Sequence, residues 1–186
     1  ITIGLVTYQI CSINDNTAAL IKINHGKYLE YDIPVGLRNT THNLSTHASG
    51  TSQEKLRILV AYTPGAAQNA LPDIMSRVRL AIEETNKTFI NSEVDHRIEL
   101  AACLPVNYTP KGDFSEIVSR FADSKDGDMG KIHQLRDTYS ADICVLFTDP
   151  DGMGCGAPLQ LLADSNTAFC VVRSDCATGN YSLAQM

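Results

Sequence analysis

Five histidines, six cysteines and 21 carboxylates are the groups of this 186-residue chain best suited to carry chemistry, and their spacing decides which chemistry is open. His25, His42, His47, His96 and His133 never stand three or four apart. No helical face can therefore offer two imidazoles to a metal, whose tetrahedral site needs three or four convergent ligands. They read as exposed or structural side chains. Cys11, Cys103, Cys144, Cys155, Cys170 and Cys176 contain no CxxC pair, which argues against a zinc ribbon or a thioredoxin-like redox site. An even count is compatible with disulfides in an exported protein. Cys103 and Cys144 lie inside apolar runs and read equally well as small buried hydrophobes. Cys155 with Cys176 is the favoured bridge, because both lie in loops at strand ends. No GxSxG elbow supports a Ser-His-Asp triad, and neither Cys155 nor Cys176 has a local signature that would pair it with His133.

Two Gly- and Asp-rich stretches invite ligand readings. Asp151-Gly-Met-Gly-Cys-Gly156 follows a strand-like run. A phosphate site would need a helix opening directly behind it, yet Pro158 follows and the spacing fits neither GxGxxG nor a P-loop. The stretch reads as a loop leading to an edge strand. Asp123, Asp126 and Asp128, with Gly127 and Gly130, are rich in oxygen but lack the ligand spacing and closing Glu of an EF-hand. They read as an acidic, solvated turn between two helices. Asn39, Asn43, Asn86, Asn107 and Asn180 open Asn-x-Ser/Thr sequons, which matter only if the source is eukaryotic.

The elements that must position these groups follow from periodicity. Residues 1–33 carry three strand-like runs, Ile3–Ile10, Ala18–Ile23 and Lys27–Ile33, and predict a small β-meander. Residues 34–54 are polar and aperiodic, a linker or processing segment. Residues 55–186 form the main domain, opening on Leu56–Tyr62, an apolar run of the kind buried on both sheet faces. Leu71, Ile74, Met75, Val78, Ile82, Thr85 and Phe89 recur at helical steps. A strand over Arg97–Leu104, helices over Phe114–Phe121 and Met129–Tyr139, and strands over Ala141–Phe147 and Ala168–Arg173 complete an α/β order with a mixed, mostly parallel twisted sheet. An apolar fraction of 44%, a charged fraction of 19% and a dispersed net charge of −6 predict a soluble globular chain. There is no basic stripe to hold nucleic acid and no apolar run that would span a bilayer.

Several stretches resemble a known family. Arg57-Ile-Leu-Val-Ala-Tyr-Thr-Pro64 and Ala81-Ile-Glu-Glu-Thr-Asn86 resemble the first strand and helix of metzincin zinc metalloproteases of the bacterial peptidyl-Asp metalloendopeptidase type. Gly112-Asp-Phe-Ser115, His133-Gln-Leu-Arg-Asp137 and Ala141-Asp-Ile-Cys-Val-Leu-Phe147 continue in the same order, and Cys176-Ala-Thr-Gly-Asn-Tyr-Ser182 resembles the segment before the catalytic helix. The resemblance implies a secreted or periplasmic protein, a prodomain remnant over residues 1–33, and the upper subdomain of the protease over residues 55–186.

In complete members, the resemblance implies, an HExxH helix and a third His hold zinc and a Glu activates zinc-bound water. Here Gln185 and Met186 stand where His and Glu would be, so no residue inherits a catalytic or zinc-ligand role and no zinc is expected in this chain. The expected remainder is a scaffold with a peptide-binding edge near Gly154, Cys155, Gly156, Ala157 and Leu159, and a sheet face left exposed for a partner chain. The chain is thus expected to be inactive alone, with a peptide or protein as the family's substrate. The alternative is a non-catalytic module that binds peptide or protein through the same edge strand.

Overall fold

The computed structural model describes residues 2–3, 6–14, 17–22, 54–150 and 154–186. Two sheets are present among the described residues. The first is antiparallel, in the order β1 (Thr2–Ile3), β2 (Val6–Asn14), β3 (Thr17–Lys22). The expected runs at Ile3–Ile10 and Ala18–Ile23 fall here, displaced by a few residues, while Lys27–Ile33 and the 34–53 stretch lie outside the described residues.

The second sheet has five strands in the order β5-β4-β6-β8-β7. β4 is Glu54–Tyr62, β5 His96–Pro105, β6 Ile143–Thr148, β7 Gly156–Pro158 and β8 Phe169–Arg173. β5, β4, β6 and β8 are parallel, and β7 closes one edge antiparallel to β8. Parallel neighbours need crossovers, and helices supply them. Between β4 and β5 run α1 (Pro64–Gln68) and α2 (Ile74–Asn91), and between β5 and β6 run α3 (Phe114–Phe121) and α4 (Ile132–Thr138).

Strand alternation divides the core in two. Leu59, Ala61, Cys144, Leu146, Phe169 and Val171 face α3 and α4, where Ile117, Phe121, Met129 and Ile132 meet them. Ile58, Val60, Val145, Phe147, Cys170 and Val172 face α2 and its Val78, Ala81 and Ile82. All the large side chains named are less than 9% exposed, and burying each contributes roughly 1.5–3 kcal/mol. This corrects the expectation of an open apolar face: β4, β6 and β8 are buried on both sides. The exposed large hydrophobics among the described residues, such as Leu71, Ile90 and Leu162, lie off these strands.

Local signals explain the helix starts. Asp73 caps α2 by accepting the Ser76 N–H at 2.9 Å, so Leu71, counted in the helical stripe from sequence, lies outside the helix and is 44% exposed. Asp113 and Glu116 form a capping box on α3. α4 begins at Ile132 rather than at Met129, because Met129 serves as a fully buried anchor in the preceding turn.

Candidate functional site

The β7 edge is built by Gly156, by a disulfide and by the last helix. In the β7–β8 pair, Arg173 N–H donates to the Cys155 carbonyl at 2.7 Å and Leu159 N–H to the Phe169 carbonyl at 2.8 Å. Residues 155, 157 and 159 therefore turn their backbone groups inward, and by the two-residue period Gly156 and Pro158 turn theirs outward. Gly156 turns its N–H and C=O away from β8, with no hydrogen bond to either among the described residues, and Pro158 adds a C=O but no N–H. Of the residues singled out from sequence, Ala157 bonds inward, and Leu159 packs against the α3/α4 core. Position 156 admits only glycine without adjustment, since a Cβ there would collide with the Val171 carbonyl oxygen and press on Met186 Cε at 3.2 Å.

Cys155 and Cys176 are joined by a disulfide, with Cα atoms 5.5 Å apart. The bridge ties the entrance of β7 to a 3₁₀ turn, Ser174–Cys176, that follows β8. From there the chain passes Gly179, whose N–H donates to Glu84 Oε2 at 2.8 Å, and enters α5 (Ser182–Gln185). Burial raises the Glu84 carboxyl above its usual range, with the Gly179 hydrogen bond acting in the opposite sense. Leu183 and Met186 pack into the α2-side core.

A second polar feature lies where the strand order reverses, at the carboxyl ends of β4 and β6. Open α/β sheets bind ligands at this crevice. Here a closed ring of hydrogen bonds fills it. Arg77 Nη1 donates to Ser174 Oγ at 3.1 Å, and Ser174 N–H donates to Asp149 Oδ1 at 3.2 Å. Asn69 Nδ2 donates to Asp149 Oδ2 at 3.0 Å, and Arg77 Nη2 donates to the Asn69 carbonyl at 3.2 Å. Thr63 and Thr148, both fully buried, lie beside it with their hydroxyls 3.4 Å apart.

The remaining candidates are held by structural contacts. His133 Nε2 is 3.1 Å from the Ala122 carbonyl, and its ring lies against Phe169. Asp126 is the hub of its turn: it accepts from Arg120 Nε and from the backbone N–H groups of Asp128 and Met129, each at 2.9 Å. The turn is solvated at Asp128 but not at Asp126, whose side chain is 7% exposed. Burial pushes the Cys103 thiol to about 11 and the Cys144 and Cys170 thiols to about 12, which removes them as nucleophiles. Asn86 spends both ends of its amide on Ile98, at 3.0 and 2.8 Å. A cleft of about 940 Å3 at the amino ends of β4, β6 and β8 includes Arg136 and Asp164. Arg136 is bound to the Ala141 carbonyl and Asp164 to the Asn166 N–H.

Zinc does not fit the donor set seen here. No group of three or more His, Cys, Asp or Glu side chains among the described residues could hold a metal, and α5 carries Gln185 and Met186 at its end. Nor is any helix among the described residues long and apolar enough to cross a membrane.

No family model matches the chain. Three curated relatives are named peptidyl-Asp metalloendopeptidase. Two come from strains of Stenotrophomonas maltophilia, 34% identical over 81% of this chain and 35% over 82%. The third, from Xanthomonas campestris pv. campestris, is 34% identical over 83%. The chain spans 36% of the length of each. A solved structure titled as a chaperone-substrate complex superposes with a TM-score of 0.55 at 17% identity, covering 65% of this chain and 23% of that one. At that identity the match speaks for the fold alone.

Proposed function

From a chain related in sequence to part of the peptidyl-Asp metalloendopeptidases, we propose the scaffold part of a secreted or periplasmic metzincin-type zinc metalloendopeptidase, one that holds the peptide strand and to whose described residues no metal chemistry is assigned. In this reading residues 55–186 are the upper subdomain and residues 1–33 a β-rich prodomain remnant, and the expected 34–54 linker ends one residue earlier because Glu54 opens β4. β7 takes an extended peptide as an added strand. The observation that carries the reading is the β7–β8 register, which turns both backbone groups of Gly156 away from β8, beside the Cys155–Cys176 bridge. Backbone pairing of this kind gives affinity without fixing sequence. The relatives' name suggests an Asp-containing peptide as the first ligand to try.

The described residues supply no zinc site, and no hydrolytic step is assigned to them. The purified chain is therefore expected to retain no stoichiometric zinc after dialysis against the metal and to leave an Asp-containing peptide intact on prolonged incubation. Tight equimolar zinc accompanied by cleavage would refute the assignment. The second reading, a binding module that works without metal, rests on the same edge. It gains ground if a longer natural form of the chain also lacks an HExxH helix.

A further inference from the structure

The ring at the switch point grips both ends of the excursion that carries β7. Asp149 stands where the chain leaves β6, and Ser174 where it leaves β8. Between them lie Cys155, opposite Arg173, then β7, and then β8 running back antiparallel to it. Two residues past Ser174, Cys176 is bonded to Cys155. The Ser174 N–H to Asp149 bond closes this loop at its base, and the disulfide ties Cys155 to the same end, where its carbonyl accepts from the Arg173 N–H. Arg77, from the first turn of α2, joins that base to the body of the domain.

We propose that Arg77 is a positioning residue. Through Ser174 and Asn69 it fixes the base of the β6–β7–β8 excursion, and so sets the geometry in which the Cys155–Cys176 bridge forms and β7 presents its free edge. Arg77 is 9% exposed and Ser174 fully buried, so the inner half of the ring is dry. Among the described residues the guanidinium meets no carboxylate directly, and its two links to Asp149 each pass through one intermediate residue. Two separate acceptors, Ser174 Oγ and the Asn69 carbonyl, are served by different terminal nitrogens. A planar fork can do this, and a lysine ammonium on a flexible stem cannot reproduce it. Ser174 is held from a second side, its hydroxyl lying 3.5 Å from the Ala66 carbonyl. The part of the proposal that concerns the bridge stands by itself, and the part that concerns peptide rests on the docking reading above.

The test is the equilibrium of the Cys155–Cys176 bridge in a glutathione buffer. Reduction of the bridge to two thiols consumes two electrons and two protons, supplied as two glutathione thiols become one glutathione disulfide. Arg77→Lys keeps the charge but loses the fork. Asp149→Asn keeps the shape but replaces one accepting oxygen. Each is expected to lower the bridge-formation constant about tenfold, and the double variant no further, since groups in one network are not additive. Asn86→Ala, which removes the amide that bonds Ile98 on β5 at the opposite edge of the sheet from β7, serves as a control for general destabilisation and should leave the constant unchanged. Circular dichroism establishes that each variant is folded, and Ser174→Ala replaces any that is not. A constant within about twofold of the parent in the ring variants, where coupling in a shared network predicts more, overturns the proposal, as does an equal fall in the Asn86→Ala control. Peptide affinity is read on the same proteins. A fall in the constant with no peptide binding by the parent chain supports the ring and sinks the docking reading.

Discussion

At the scale of single residues, burial governs the titrating groups. The thiols of Cys103, Cys144 and Cys170 ionise only near 11 to 12 in the folded chain, against an ordinary value of 9.0. A folded-state value raised above the unfolded one contributes stability that is complete below about 9 and lost as pH rises toward 11 or 12. Denaturant titrations should therefore show stability falling between those limits. Native labelling at pH 8 should leave Cys144 and Cys170 unmodified until the chain unfolds, as peptide mapping would establish. Glu84 has the same sign at the acid end, its carboxyl raised by burial. The Glu84→Gln chain should match or exceed the parent in stability at neutral pH, because it can still accept from Gly179 without burying a charge, and the difference should close as pH falls through the carboxylate range. Glu84→Ala strands the Gly179 N–H and should cost about 1–3 kcal/mol in denaturant melts. The sequence showed Cys103 and Cys144 as apolar-run residues. The Glu84–Gly179 contact was invisible there, since 95 positions separate the partners.

At the scale of elements, the long ones were legible and the short ones were not. β4 and α3 announce themselves by an apolar run and by the Asp113/Glu116 box, and Asp113→Ala should lower stability by about 1 kcal/mol in a thermal or urea melt. α1, only five residues long, hid behind a Pro-Gly pair that reads as a turn. β7 has three residues, too few to show a period, and is a strand because β8 accepts it. The peptide pairing proposed for it depends on Gly156. Replacing it with alanine forces a methyl group toward the Val171 carbonyl, so Gly156→Ala should cost about 1–3 kcal/mol by overpacking and weaken peptide binding beyond that loss, measurable by melt and titration on one preparation.

At the scale of the whole molecule, order and resemblance together anticipated the α/β plan, and the five-stranded sheet displays it. The open apolar face did not materialise, because α2 and the 177–186 segment complete the second core around Val145, Phe147 and Val172. The Arg77 ring was beyond sequence reasoning, since nothing local pairs Arg77 with Ser174 across 97 positions. What remains distinctive is a five-stranded sheet whose β7 edge is proposed to take peptide, with no metal cluster among the described residues. The most direct test of that account is amide hydrogen exchange at Gly156 with and without a saturating, extended Asp-containing peptide. The account predicts slowed exchange at Gly156, little change at the already bonded Ala157, and recovery of the peptide uncut. Unchanged exchange at Gly156 while the peptide binds elsewhere, or recovery of cleaved peptide, would contradict it.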